Sequence, residues 1–88
     1  MNKTFFIIDD HDLLRRGTIS YLEASSDWKS AGDAKDGEKA LSELENFAKE
    51  DNLPGIIICD LNFYGKNTGS NLIEEIRALY PKQKIIAY

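Results

Sequence analysis

At 88 residues and a formal net charge of −4, the chain is long enough for one small domain and too acidic to grip nucleic acid by neutralising phosphates. A hydrophobic content of 42% beside 30% charged residues is ordinary for a globular protein, and no run approaches the roughly 18 apolar residues of a membrane span. One cysteine excludes an internal disulfide framework and suits a reducing compartment, so a cytoplasmic protein is expected.

Phe5-Phe6-Ile7-Ile8 opens the chain as a short run apolar at every position, and it stops abruptly at Asp9-Asp10. Such runs suit strands buried on both faces, as in a parallel sheet covered by helices. Leu13, Leu14, Gly17, Thr18, Tyr21 and Leu22 then repeat at helical spacing and predict one apolar helix face. Gly17 inside that helix costs about 1 kcal/mol relative to alanine, which points to close packing against a strand. Arg15-Arg16 is the one basic pair and is assigned to a solvated face of the same helix.

Trp28 to Ala34 predicts a second strand, placed at a sheet edge because Lys29 and Ser30 are polar. The second helix carries Ala40, Leu41, Leu44, Phe47 and Ala48 on one face, with Asp36 as its N-cap. Gly55 to Cys59 follows a Pro-Gly turn as the third strand and ends in Asp60. Leu72, Ile73, Ile76, Leu79 and Tyr80 mark the third helix, begun by Ser70 or Asn71 and ended by Pro81. Lys84 to Tyr88 is the fourth strand.

Strands alternating with helices imply an α/β fold with a parallel sheet and right-handed crossovers. Two strand orders compete, the flavodoxin-like 2-1-3-4 and a Rossmann-like start. The second is disfavoured because no G-x-G-x-x-G follows the first strand. In open parallel sheets ligands bind beyond the carboxyl ends of the strands, where the order reverses. Order 2-1-3-4 puts that point between strands 1 and 3, so Asp9, Asp10 and Asp60 converge there.

Two like charges about 5 Å apart repel by roughly 3 kcal/mol at an effective dielectric of about 20. A hard divalent cation removes that penalty, and Mg²⁺ suits carboxylates combined with water and a phosphate oxygen. Asp60 stands alone on its strand and is the better nucleophile toward a phosphoryl group, which leaves Asp9 and Asp10 for the metal. The plain alternative for any single aspartate is a turn or helix cap. Three of them, each directly after an apolar strand, favour a site.

Ile7-Ile8-Asp9-Asp10-His11, Ala34-Lys35-Asp36-Gly37-Glu38-Lys39-Ala40-Leu41 and Ile57-Ile58-Cys59-Asp60-Leu61-Asn62 resemble the receiver domains of two-component response regulators. The Asp-Asp-His-x-Leu-x-Arg-x-Gly run over Asp9 to Gly17 is similar to the branch that carries a C-terminal helix-turn-helix output domain. The resemblance implies phosphorylation of Asp60 by a sensor histidine kinase. It also implies Mg²⁺ held directly by Asp10, by Asp9 largely through water, by Asp60, and by the Asn62 backbone carbonyl. No enzymatic role beyond self-catalysed phosphotransfer and dephosphorylation is implied.

Two departures from the family pattern stand out. Phe63 and Tyr64 replace the usual Met-Pro after the phosphorylated aspartate, and Gly69 falls one residue late, so this loop is longer by one. Gly65, Asn67 and Gly69 keep it adaptable. The larger departure is at the end of the chain. The family's switch Ser or Thr follows strand 4 and its phosphate-binding Lys follows strand 5, whereas this sequence stops at Tyr88. Residues 1–88 therefore read as an incomplete receiver lacking helix 4, strand 5 and helix 5, with impaired phosphorylation. Lys66 lies at the correct end of the sheet to replace the missing lysine but reads first as a solvated loop residue; Lys84 lies at the wrong end. The bare strand 4, with Ile85, Ile86 and Tyr88, predicts self-association through that edge.

His11 follows the acidic pair and reads as the residue that begins helix 1, since no second histidine exists to complete a zinc site. Cys59 points away from the Asp60 carboxylate and reads as a buried thiol. Trp28, Tyr21, Phe47 and Tyr80 read as packing residues. Two other functions stay open. Asp10-x-Asp12 after an apolar strand superficially suits a Mg²⁺-dependent phosphohydrolase, and a receiver without chemistry would be a phosphorylation-independent interaction module.

Overall fold

The computed structural model describes residues 2–61 and 69–88. The elements run β1 (Thr4–Ile8), α1 (Asp12–Ser25), β2 (Lys29–Ala34), α2 (Gly37–Lys49), β3 (Ile56–Cys59), α3 (Gly69–Leu79) and β4 (Ile85–Ala87). The four strands form one parallel sheet in the order β2-β1-β3-β4. This is the α/β, flavodoxin-like arrangement expected of alternating apolar strands and amphipathic helices.

Register explains the central position of β1. Phe5, Phe6, Ile7 and Ile8 pair with Ile56, Ile57, Ile58 and Cys59 on one side. The other side of β1 pairs with the polar strand β2, an edge as its sequence implies. Gly55 is required where the two central strands begin: a Cβ there would lie 2.1 Å from the Asn2 carbonyl oxygen.

Alternate strand residues serve opposite faces. Phe6, Ile8, Ile57 and Cys59 meet Ala40 and Leu44 of α2 and Leu72, Ile73 and Ile76 of α3 in the main core. Phe47 and Tyr80 pack against its margin as expected. Asp36 caps α2, accepting a hydrogen bond from the Lys39 amide at 2.8 Å. Asp36→Ala is expected to cost about 1 kcal/mol, read as a shift in the urea midpoint with unchanged slope.

Helix α1 departs from its predicted orientation. Leu13, Leu14 and Tyr21 are 88%, 52% and 70% exposed, so that part of the predicted face points outward while its Leu22 stays inward. The inward stripe runs instead through Arg15, Ile19 and Leu22. Arg15 is buried, contrary to the solvated face assigned to it, because its guanidinium finds the Asp9 carbonyl and Asp33 beneath the helix and Asp12 in the helix's own first turn. Gly17 has no neighbour within 4 Å of where a Cβ would stand, so close packing does not account for it. Tyr21 is likewise no core residue.

Candidate functional site

The carboxyl ends of β1 and β3 lie side by side, held by backbone bonds from the first residue beyond each strand. The Asp60 amide donates to the Ile8 carbonyl at 2.9 Å, and the Asp9 amide donates to the Ala34 carbonyl at 3.0 Å. Both carboxylates thus emerge at one rim, at the switch point of the sheet. One ligand atom from each of Asp9, Asp10, His11 and Asp60 can be chosen so that all four lie within 4.8 Å of one another. Asp9 is fully buried and Asp60 is 7% exposed. The expected convergence of strands 1 and 3 is therefore present.

Burial opposes ionisation of Asp9, but hydrogen bonds outweigh it. The Tyr88 hydroxyl donates to Oδ2, while the His11 amide donates to Oδ1 at 2.9 Å. The His11 ring adds a further bond to Oδ1 at 2.9 Å, and the carboxyl is held below its ordinary pKa. The Tyr88 hydroxyl moves the other way, driven upward first by burial and then by Asp9. Cys59 sits in the core facing away from the cluster, and burial pushes its thiol up to about 12.

His11 takes a larger part than a helix-start residue would. It occupies the N-cap position of α1 without capping it by its side chain. Its Nδ1 lies 2.9, 3.2 and 3.7 Å from carboxylate oxygens of Asp9, Asp10 and Asp60. The hydrogen bond to Asp9, followed by the charge of Asp10, raises its pKa above the usual 6.5. A raised value stabilises the fold fully below about pH 6.5, the unfolded value, and that contribution disappears as pH climbs through the folded value. In metal-free buffer the chain is therefore expected to lose stability over that interval, and His11→Ala to flatten the loss in thermal melts.

Arg15 and Tyr88 are the contributors that sequence reasoning missed. Arg15 lies one helical turn after His11, and its Nη1 donates to the Asp9 carbonyl at 2.7 Å. That spacing was the available signal, because a side chain on the first turn can reach back to the preceding strand end. Tyr88 reaches Asp9 from the residue just beyond β4, 79 positions along the chain, and no local pattern announces it. Asp12 turns to Arg15 at 2.7 Å and does not belong to the carboxylate cluster. The expected Asn62 carbonyl ligand and the loop residues Phe63, Tyr64, Gly65, Lys66 and Asn67 lie outside the described residues.

A groove of about 690 Å³ lies at the opposite end of the sheet, lined by Trp28, Pro54, Tyr80 and Pro81 among others. It gathers no carboxylates, so the acidic rim is the better candidate for chemistry. None of the helices among the described residues is long and apolar enough to cross a membrane.

The nitrate/nitrite response regulator protein NarL of Escherichia coli strain K12 is 28% identical over 85 residues, 97% of this chain and 37% of its own length. The transcriptional regulatory protein DegU of Brevibacillus brevis is 30% identical over 80 residues, 91% of this chain and 31% of its own. This chain thus spans about a third of the relatives it matches. A Salmonella enterica serovar Typhimurium RcsB structure, bound to promoter rprA with the phosphomimetic BeF3−, superposes with a TM-score of 0.80. It is 25% identical, and the match covers 98% of this chain and 42% of that one. The response regulator receiver domain family matches residues 5–88, from the first strand through to the last residue. With that span and the 2-1-3-4 sheet in agreement, the chain belongs to the response regulator receiver domain family.

Proposed function

We propose that the chain is a phosphoacceptor signalling module in which Asp60 receives a phosphoryl group from the phosphohistidine of a sensor histidine kinase. The observation that carries this reading is the convergence of three aspartates, two of them buried and from different strands, within 4.8 Å. An Asp60 carboxylate oxygen attacks phosphorus as the P–N bond breaks. The electron pair leaves with the histidine ring nitrogen, and an acyl phosphate forms on Asp60.

The donor set fits a hard divalent cation, because its carboxylate oxygens are the ligands Mg²⁺ prefers. Asp10 and Asp60 would hold the ion directly, Asp9 largely through water, and Asn62 through its backbone carbonyl. When bound, Mg²⁺ neutralises the phosphoryl oxygens and the clustered carboxylates. Asp9 is kept ionised by the hydrogen bonds from His11 and Tyr88 and keeps negative charge on this rim.

Incubation with acetyl phosphate and Mg²⁺ followed by peptide mass spectrometry tests the assignment. Modification at Asp60 supports it; modification at Asp10 would favour the phosphohydrolase alternative. That alternative has lost support, because Asp12 is engaged by Arg15. An inert chain with no Mg²⁺ affinity would leave the phosphorylation-independent interaction module.

Residues 1–88 are proposed to be the receiver portion of a cytoplasmic regulator whose remaining part binds DNA. Ile86 is 51% and Tyr88 47% exposed beside the outer edge of β4. An open edge with apolar side chains pairs with other chains, so association through β4 is expected. Light scattering over a concentration series is expected to show growing mass, and a constant monomer would refute it.

A further inference from the structure

We propose that Arg15 is the positioning residue of the acidic site, fixing the Asp9–Asp10 peptide so that both carboxylates meet a divalent cation in a preset arrangement. This inference rests on the phosphoacceptor reading and deepens it. Arg15 is 7% exposed, and its guanidinium spreads over three pieces of chain. Nη1 donates to the Asp9 carbonyl at 2.7 Å, Nη2 to Asp12 Oδ1 at 2.7 Å, and Nε to Asp33 Oδ2 at 2.5 Å. A planar fork with fixed donor directions suits such a bracket; an ammonium on a flexible stem does not span it.

The bond to the Asp9 carbonyl is the one with consequences for the site. That carbonyl belongs to the peptide joining Asp9 to Asp10, and its orientation sets where both side chains leave the backbone. The Asp9 side chain is also tied down by the His11 amide. Asp9 is in addition anchored through its own amide to β2. Arg15 supplies the hold on the Asp10 side of the residue. An apolar side chain on this inward stripe would fill the same space without that hold.

Charge supports the same role. A guanidinium beside a cation site would ordinarily repel the ion. Here Asp12 and Asp33 both contact it, so its positive charge is spent locally. Asp9, Asp10 and Asp60 are left to attract the ion, and Arg15 contributes geometry in place of charge.

Mn²⁺ binding to the full 88-residue chain, followed by the loss of the free-ion electron paramagnetic resonance signal, tests the proposal. Arg15→Met is expected to weaken binding by about 10- to 100-fold, the usual effect of removing a group that orients a ligand. Arg15→Lys keeps a donor for the Asp9 carbonyl without the planar fork and should recover part of that loss. Leu44→Ala, a cavity in the core on the other face of the sheet, should lower the melting temperature and leave Mn²⁺ affinity unchanged. Each protein is measured where circular dichroism shows it folded, and Arg15→Lys decides alone if Arg15→Met does not fold. Amide resonances of Asp10 and His11 should also move in metal-free Arg15→Lys. Wild-type affinity in both Arg15 variants would overturn this inference alone. An absence of Mn²⁺ binding by the wild-type chain would overturn it together with the reading on which it rests.

Discussion

Asp60→Asn is expected to take up no phosphoryl group from acetyl phosphate in magnesium buffer, while the unaltered chain becomes labelled. The substitution keeps the size of the side chain and the backbone bond from residue 60 to the Ile8 carbonyl, so the end of β3 stays in place. What it removes is the anionic oxygen that attacks phosphorus, and an amide oxygen is too poor a nucleophile to replace it. The expected effect is therefore complete loss. Intact-mass spectrometry under saturating phosphodonor reads it directly, and labelling of the variant at wild-type extent would dismiss Asp60 as the acceptor.

The same variant carries a second, opposite signature. One of three clustered negative charges disappears, which relieves repulsion in metal-free protein and weakens the attraction for a cation. Metal-free Asp60→Asn should melt no lower than the parent, yet gain less stability on addition of Mg²⁺, since the gain follows the logarithm of ligand over dissociation constant. A purely structural aspartate would show the reverse, with loss of stability and no change in the response to metal.

Phe6→Ala is expected to remove most of the folding free energy. Phe6 is fully buried at the centre of β1 and meets Phe47 edge-on, with ring centroids 5.9 Å apart and planes at 82°. Truncating a buried phenylalanine costs about 3–5 kcal/mol through lost burial and the cavity left behind. A small domain has a total stability of only about 5–15 kcal/mol, and one of this size belongs near the lower end. The variant should populate unfolded chain at ambient temperature, seen as a broadened, early melt by circular dichroism. A transition close to that of the parent would show that the core is not organised around this ring.

The two signals that located the site were local and physically strong. Continuous apolar runs such as Phe5 to Ile8 and Ile56 to Cys59 can be buried only on both faces of a sheet, and alternation with helices leaves few topologies. Asp9 and Asp60 follow those runs directly, so strand order alone brings them to one rim. Asp36 was likewise legible, because an N-cap depends only on its own helix.

Helix α1 marks where sequence stopped and tertiary structure took over. Its periodicity established a helix, but the rotation of that helix was decided by what lay beneath it. Arg15 turned inward because Asp33, 18 positions away on an edge strand, and the Asp9 carbonyl offered acceptors there. Leu13, Leu14 and Tyr21 were carried outward by that same rotation. His11 came within 3.7 Å of Asp60, and Tyr88 reached Asp9, for the same reason: a polar group finds its partner in space, not along the chain. Apolar patterning is a property of neighbours in sequence and could be read in one dimension. Pairing of charges across elements depends on distances that exist only once the sheet has formed.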